Sequence, residues 1–488
     1  MKAVLGRDAN PRRRDEPVEW DTARLINAHA LILGTTGAGK TTMLRSLIRH
    51  LQPNRVRIHV FDVHGDLRIE GASEVLISER TPYGLNPLRV NPDPHFGGVR
   101  KCIQQFIATV NRASTTPLGV KQEAVIRNLL TDVYRQKGFR VDDPSTWSVD
   151  ESRAQLVSDG SDNRIYLDVP LSEKDQAKAL GARWDGDRRC WWIAVDQYKG
   201  GITRWPPKTV GRTHLTLSDA VLYARRLLQV SFLGSDQHAV TELEIFHKHA
   251  AAFQRRIVEA ARRNEQGHDP DDAALSAARE KALASYARYV NAVRTGNELA
   301  DLIKYDSTDV LKSVVDRLES LQATGIFKTT PPPFDPNASV WTYKLNALSK
   351  PEKQLFVFFK LQEIYDLSFM RGEQDDVVEV VALDEAGMFV DGDGAGILST
   401  IAREGRKFGI SVIAANQAAD MPEDFLASLG TKLVLGLDEM YWRQAVSRMR
   451  MDEALLRWIR PMHSMGVQLK ERGSTRSDWR YVLVDSPP

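Results

Sequence analysis

Cysteine is almost missing from this sequence: Cys102 and Cys190 are the only two in 488 residues. Two thiols cannot build a disulfide framework or a structural zinc site, and a reducing cytosol is the compartment they suit. Net charge is almost missing as well. With 66 basic and 64 acidic residues the formal charge is +2, so there is no global basic field. Any nucleic-acid surface has to be local, or has to arise by assembly into a ring. No apolar run approaches the ~20 residues of a membrane-spanning helix, so no intrinsic membrane segment is expected. The opening MKAVLGRDANPRRRDEP carries arginines but lacks the apolar stretch of a secretory signal. Long repeats and low-complexity tracts are lacking too. What is present is a soluble, globular composition, 42% hydrophobic and 27% charged. Its length suits roughly two to four domains.

The pattern along the chain changes twice. AHALILG, a Gly-rich turn and TTMLRSLIRHL read as strand, loop and helix, and RVRIHVFDVHGD reads as a second buried strand. From about residue 99 the spacing turns helical, in VRKCIQQFIATV and QEAVIRNLLTDVYRQ, and it is helical again over 216–325. After the prolines at 331–333 the alternation of strands and helices returns. ASVWTYKLNAL reads as a strand and EKQLFVFFKLQEIYDLSF as a helix; VVEVVALDE, GISVIAANQ, TKLVLGL, MGVQLKE and WRYVLVD read as strands. Continuous apolar strands of this kind suit a parallel sheet covered on both faces. The expected class is therefore α/β, with one core split by a helical insertion. Residues 1–27 form a lead segment, 28–98 the first part of the core and 335–488 the second. Residues 99–162 and 209–334 form the two parts of the insertion, and 163–208 a small tryptophan-rich α+β module between them.

GTTGAGKT, Gly34 to Thr41, fits the phosphate-loop pattern G-x-x-x-x-G-K-[ST] in full, with a strand before it and a helix after it. Gly34, Gly37 and Gly39 let backbone amides close around phosphate oxygens. Thr35, Thr36, Ala38 and Thr42 complete the expected nucleotide cradle. Lys40 reaches the β- and γ-phosphates, the Thr41 hydroxyl completes a Mg²⁺ shell, and the helix presents its positive end. VVEVVALDE ends in Asp384 and Glu385. An acid at the tip of a buried strand can hold Mg²⁺ through water, and a second beside it can polarise the attacking water. Gln417 ends GISVIAANQ, where it is either a γ-phosphate sensor or water-orienting group or an ordinary loop glutamine. STIAREGRKFG places Arg403, Arg406 and Lys407 near a helix C-terminus. There they either complement the helix dipole or supply an arginine finger to a neighbouring subunit. FDVHGD puts Asp62, His64 and Asp66 beside the expected phosphate site. Asp62 is a candidate for the metal or water shell, and His64 is given no catalytic role. His247, Lys248 and His249 read as a solvated face.

GTTGAGKT, FDVHGD, the GLNPL turn, VVALDE, AREGRKFGI and AANQ occur in this order. In that order they resemble the HerA/FtsK superfamily of P-loop ATPases, in the branch of HerA helicases and conjugation or type IV secretion ATPases. The resemblance covers the split core and part of the insert. It implies a RecA-like P-loop NTPase core, commonly a homohexameric ring that hydrolyses ATP between subunits to move DNA or to drive export. It assigns Lys40 and Thr41 to phosphate and Mg²⁺, Asp384 to Mg²⁺, Glu385 to water activation and Gln417 to γ-phosphate sensing. It points to Arg406, or else Arg403, as arginine finger. The expected ligands are ATP and Mg²⁺; the expected partners are further copies of the chain, DNA, and membrane-bound secretion or conjugation proteins. The expected location is cytoplasmic, at the inner membrane only through such partners. Departures leave the substrate open. HerA helicases carry an N-terminal β-barrel where 27 residues stand here, and the membrane helices and winged helix of FtsK are not evident. DNA translocation in conjugation or mobile-element processing leads. Protein export and a nucleotide-dependent scaffold in an anti-phage complex are the alternatives.

Residues 163–208 hold Trp184, Trp191, Trp192 and Trp205, four of ten tryptophans, with nine basic and six acidic residues. RIYLDVP reads as a strand, SEKDQAKALGA as a helix capped by Ser172, and RWDGDRRCWWIA as a hairpin. The stretch resembles a small domain of unknown function found in plasmid and mobile-element proteins, primase-like ones among them. Large aromatics either make the core of so small a unit or stack on single-stranded bases. Trp184 and Trp191 are expected in the core, and Arg188, Arg189 and Trp192 on a nucleic-acid surface.

Overall fold

The computed structural model describes residues 2–13, 16–54, 56–149, 164–167, 169, 173–186, 190–205, 213–233, 237–265, 272–292, 304–305, 307–390, 396–474 and 477–484. The chain divides into two compact units. The first comprises 1–87, 112–115 and 324–488, and the second 88–111 and 116–323. The first unit opens with β1 (Lys2–Asp8) and β2 (Pro17–Asp21), an antiparallel pair. Along β1 every other side chain is buried up to a bulge between Val4 and Gly6. Residues 1–27, read from the sequence as a lead ahead of the core, thus supply strands to it, and Trp20 is buried in its interior. Then come β3 (Ala30–Leu33), the Gly-rich loop, α1 (Lys40–Leu51), β4 (Arg57–Asp62) and β5 (Ser73–Leu76).

The second unit is mostly helical. It contains α2 (Val99–Ala113), α3 (Val120–Gln136), then β6 (Arg164–Leu167), α4 (Lys174–Ala179), β7 (Arg183–Asp185) and β8 (Cys190–Ala194). The helices α5 (Leu217–Leu233), α6 (Gln237–Glu265), α7 (Asp272–Ala292) and α8 (Thr308–Ala323) follow. Leu311, Val314, Val315 and Leu318 recur at helical spacing on α8 and are buried, and α8 packs on α3 and α5. α6 and α7 pack against each other, and His247 and Lys248 are exposed on α6. Inside this unit the strands order as β6-β8-β7, antiparallel throughout, so the tryptophan-rich stretch has its own sheet. Leu167, Ala177, Ile193, Ile202 and Trp205 form its core.

The chain returns to the first unit with β9 (Val340–Lys344) and α9 (Lys350–Arg371). The start of α9 is fixed where Glu352 accepts the Ser349 amide proton at 2.8 Å. β10 (Glu379–Leu383), α10 (Ile397–Glu404), β11 (Ile410–Asn416), α11 (Glu423–Ser428) and β12 (Thr431–Val434) come next. The last elements are α12 (Glu439–Met449), α13 (Glu453–Trp458), β13 (Ser464–Leu469) and β14 (Trp479–Leu483). Eleven strands make one sheet, in the order β2-β1-β14-β13-β12-β3-β11-β10-β4-β9-β5. From β12 to β5 every neighbouring pair is parallel. Every residue of β10 and β11 is buried, which is why both read as predominantly apolar runs. This is the α/β P-loop NTPase fold. It brings the carboxyl ends of β3, β11, β10 and β4 side by side, the edge where open α/β sheets bind ligands.

Candidate nucleotide site

The Gly-rich loop leaves the carboxyl end of β3 and is pinned by the strands on either side. The Gly34 amide donates to the Asn416 carbonyl of β11 at 3.1 Å, and the Thr35 amide to the Gly436 carbonyl after β12 at 2.9 Å. Gly37 and Gly39 have φ of 80° and 96°, which side-chain-bearing residues rarely adopt. Among the described residues the amides of Gly37, Gly39, Lys40 and Thr41 have no acceptor, the state of a loop built to hold anionic oxygens. Lys40 folds back on the loop, its Nζ donating to the Thr35 carbonyl at 3.2 Å. Thr41 and Thr42 open the first turn of α1 and are half-buried, while Thr36 is exposed and Ala38 buried. A cavity of ≈ 320 Å³ lies beside this turn. Thr42, Met43, Arg45 and Ser46 of α1 line it, with Val4 of β1 and Met462 opposite.

Two strands along, Asp384 and Glu385 follow β10. Carboxylate oxygens of Asp62, Asp66 and Asp384 lie within 4.8 Å of one another, a set of hard oxygens that suits Mg²⁺. Burial pushes the Asp384 carboxyl up, and the negative charges of Glu385, Asp66 and Asp62 push it further against the opposing influence of His64. Asp62 has a second duty that its sequence position did not reveal. It is fully buried, with Oδ1 accepting from the Gly65 amide at 2.7 Å and Oδ2 from the Leu67 amide at 3.1 Å.

Glu385 sits at φ 55°, in the left-handed region. Its Oε1 accepts from Gln417 Nε2 at 2.7 Å, and His64 Nε2 lies 3.3 Å from the same oxygen. Burial opposes ionisation of Glu385, but the hydrogen bonds from Gln417 and His64 and the charges of His64 and Lys40 outweigh it. The carboxyl is held below its ordinary range, ionised at neutral pH. Asn416, which the sequence reading passed over, locks the two strand ends together. Its Oδ1 accepts the Gly387 amide at 3.2 Å, and its Nδ2 donates to the Ala418 carbonyl at 2.8 Å and to Asp420 at 3.0 Å.

So the fold brings Lys40, Thr41, Asp384, Glu385 and Gln417 to one edge. Arg403 and Arg406 are not brought there. Both are exposed at the end of α10 and in the turn after it, before β11 begins. The Arg406 charge acts on His29, which precedes β3, so Arg406 lies toward the amino ends of the strands, away from the chain's own phosphate loop. In the tryptophan-rich module Trp191 packs against the core and Trp205 is buried in it, but Trp184 is 53% exposed, its ring edge-on to Trp191. The exposure corrects the expectation of Trp184 as core: it stands on β7, the edge strand of the three-stranded sheet, paired across to Trp191. Trp192 is half-buried with the Arg164 guanidinium 4.2 Å over its ring and that of Arg183 at 5.6 Å. Ser172, Arg188 and Arg189 lie outside the described residues.

Residues 9–166 match the family described as helicase HerA, central domain, and residues 164–207 match a domain of unknown function, DUF5710. Among curated proteins the chain is similar to "Probable helicase MJ1565" of Methanocaldococcus jannaschii, 34% identical over 82 residues, which is 17% of this chain and 16% of that protein. It is also similar to DNA primase TraC of Escherichia coli, 38% identical over 55 residues, 11% of this chain and 5% of TraC. Each match therefore spans only a small part of the relative's length. Among solved structures it is similar to VirB4 of Thermoanaerobacter pseudethanolicus, with a TM-score of 0.53 and 15% identity over 100% of this chain and 96% of that one. At that identity the likeness is one of fold.

Proposed function

We propose, from the premise that this chain carries a P-loop core of the HerA/FtsK type, that it hydrolyses ATP to move DNA. The observation that carries the reading is the convergence at one sheet edge. The phosphate loop, Asp384, Glu385 and Gln417 stand on the neighbouring strands β3, β10 and β11. Gly34 to Thr42 cradle the phosphates and Lys40 leaves the Thr35 carbonyl for the β- and γ-phosphates. The cavity beside α1 takes the base. Thr41 and Asp384, with Asp66 beside them, would hold Mg²⁺, which supplies charge neutralisation on the phosphates. Glu385, ionised and held in place, accepts a proton from the attacking water, and Gln417 senses the γ-phosphate. Arg406, or Arg403 beside it, faces outward and acts as a finger on the nucleotide of the next copy in a ring, a homohexamer. No helix among the described residues is long and apolar enough to cross a membrane. Contact with a membrane complex would run through a conjugation or secretion partner.

The name of one relative, a DNA primase, and the arginine-flanked Trp192 support a single-stranded nucleic-acid surface on the module, with Arg188 and Arg189 contributing charge. The test is the ATPase rate with no nucleic acid, with duplex and with single strands, at one salt concentration, beside Lys40→Ala. Stimulation by DNA that the variant abolishes supports the motor. A basal rate indifferent to either DNA form would overturn it in favour of protein export.

A further inference from the structure

His64 has one partner for its ring among the described residues, and that partner is Glu385. The loop that carries it is held from several sides. Asp62 accepts the Gly65 and Leu67 amides, and Lys353 Nζ donates to the Val63 carbonyl at 3.1 Å. Gly65, at φ 80°, lies so close to Asn346 that an added Cβ would come within 2.7 Å of its amide nitrogen. The backbone is thus fixed while the ring stands out, half exposed, toward the acid. On the other side Gln417, exposed just past the end of β11, donates to the acid, and Glu385 itself is aimed by its left-handed backbone. Gln417 Nε2 donates to Oε1 at 2.7 Å, and the His64 ring, with its proton on Nε2, stands as an ion-pair partner 3.3 Å from the same oxygen. A carboxylate oxygen has two in-plane lone pairs, and both partners of Glu385 lie on the Oε1 side. Oε2 is left as the oxygen with both lone pairs available to water.

We propose that His64 is a positioning residue, which together with Gln417 fixes the rotation of the Glu385 carboxylate so that Oε2 is the base. The inference rests on the reading of Glu385 as the base. It goes beyond the sequence expectation, which gave His64 no catalytic role, because a histidine just past a strand end gives no sign of where its ring points.

The experiment measures steady-state ATP hydrolysis by the full chain, with DNA if DNA stimulates it, for wild type, Glu385→Gln, His64→Ala and His64→Gln. Glutamine carries an N–H donor to about the reach of the imidazole Nε2. His64→Ala is expected to lower kcat about tenfold, as a loosened base does, with KM for ATP within about twofold of wild type. His64→Gln is expected to recover most of the lost kcat. A His64→Ala rate equal to or above wild type overturns the proposal, as does a glutamine variant no better than alanine. A parallel rise in KM would show a binding role instead and also overturns it. Glu385→Gln separates the two readings. If that variant keeps the wild-type rate, the assignment of the base itself falls; if it is inactive while His64→Ala is not impaired, only the role of His64 falls.

Discussion

The ring of His29 accepts the Val412 amide proton through Nδ1 at 3.0 Å, inside the sheet where β3 begins beside β11. The ring must be neutral to do so, with its proton on Nε2. Burial, and then the positive charge of Arg406, bring the His29 pKa down to about 4 from 6.5. The sign follows from the linkage between folding and protonation. The unfolded chain takes up this proton below 6.5 and the folded chain only near 4, so this contribution is complete above 6.5 and is lost as pH falls through that window. At about 1.4 kcal/mol per pH unit the loss is roughly 3 kcal/mol by pH 4. Urea unfolding of wild type and His29→Asn at pH 7.5 and pH 5 measures it. Asparagine offers Oδ1 in place of Nδ1, so the variant should show a weaker loss of stability between the two pH values. An equal loss in both proteins would place the pH sensitivity elsewhere.

Asp62 has a structural duty that can be told apart from the metal role expected of it. Its carboxylate takes two buried amide protons, and losing both acceptors costs about 1–3 kcal/mol for each orphaned donor. Asp62→Ala should therefore lower the urea midpoint in buffer containing chelator and no nucleotide, and Asp62→Asn, which keeps one acceptor oxygen, should lower it less. If instead Asp62 served only a cation, neither variant would change stability in chelator.

The gathering of the phosphate loop, Asp384, Glu385 and Gln417 at one edge was legible because its signals are local. GTTGAGKT, VVALDE and AANQ each carry their geometry within a few residues, and β10 and β11 announce burial by predominantly apolar runs. The contact between Gln417 and Glu385 follows once those two strands are neighbours. What stayed hidden depends on distant partners. β1 pairs with β14, more than four hundred residues on, and Gly6 approaches so closely that a Cβ there would lie 2.3 Å from the Leu483 carbonyl oxygen. No window around residue 6 contains that information. The amide clamp of Asn416 on Gly387 and the buried pairing of His59 with Glu379 at 2.8 Å are hidden for the same reason.

Within the tryptophan-rich module, Trp205 and Trp184 should answer differently. Trp205 is buried, its indole N–H donates to Glu173 at 2.6 Å and the Arg204 guanidinium lies 4.1 Å over its ring. Trp205→Ala should cost about 3–5 kcal/mol and expose the module to limited proteolysis. Trp184→Ala, at a half-exposed position, should leave protease resistance unchanged. If the module stacks on single strands, Trp184→Ala or Trp192→Ala should weaken oligonucleotide binding by about 1–3 kcal/mol in an anisotropy titration. Unchanged binding in both would remove the stacking role from these two tryptophans.

Gly39 ends the phosphate loop under Met462, and the two constrain each other unequally. A Cβ on Gly39 would lie 2.7 Å from Met462 Sδ. That sulfur is near the end of a flexible side chain on a half-exposed residue, so it can move aside at little cost. The backbone cannot, because φ 96° at position 39 is strained for any L side chain. Gly39→Ala should therefore turn the adjoining amides away from the phosphates and weaken ATP binding by about tenfold, the equivalent of the 1–2 kcal/mol such a conformation costs. Met462→Ala alone should bind nearly as wild type, and the double variant should stay as weak as Gly39→Ala. Binding of a fluorescent ATP analogue to the three variants decides the matter. Recovery of affinity in the double variant would show that the methionine, and not the backbone, is what demands glycine at this position.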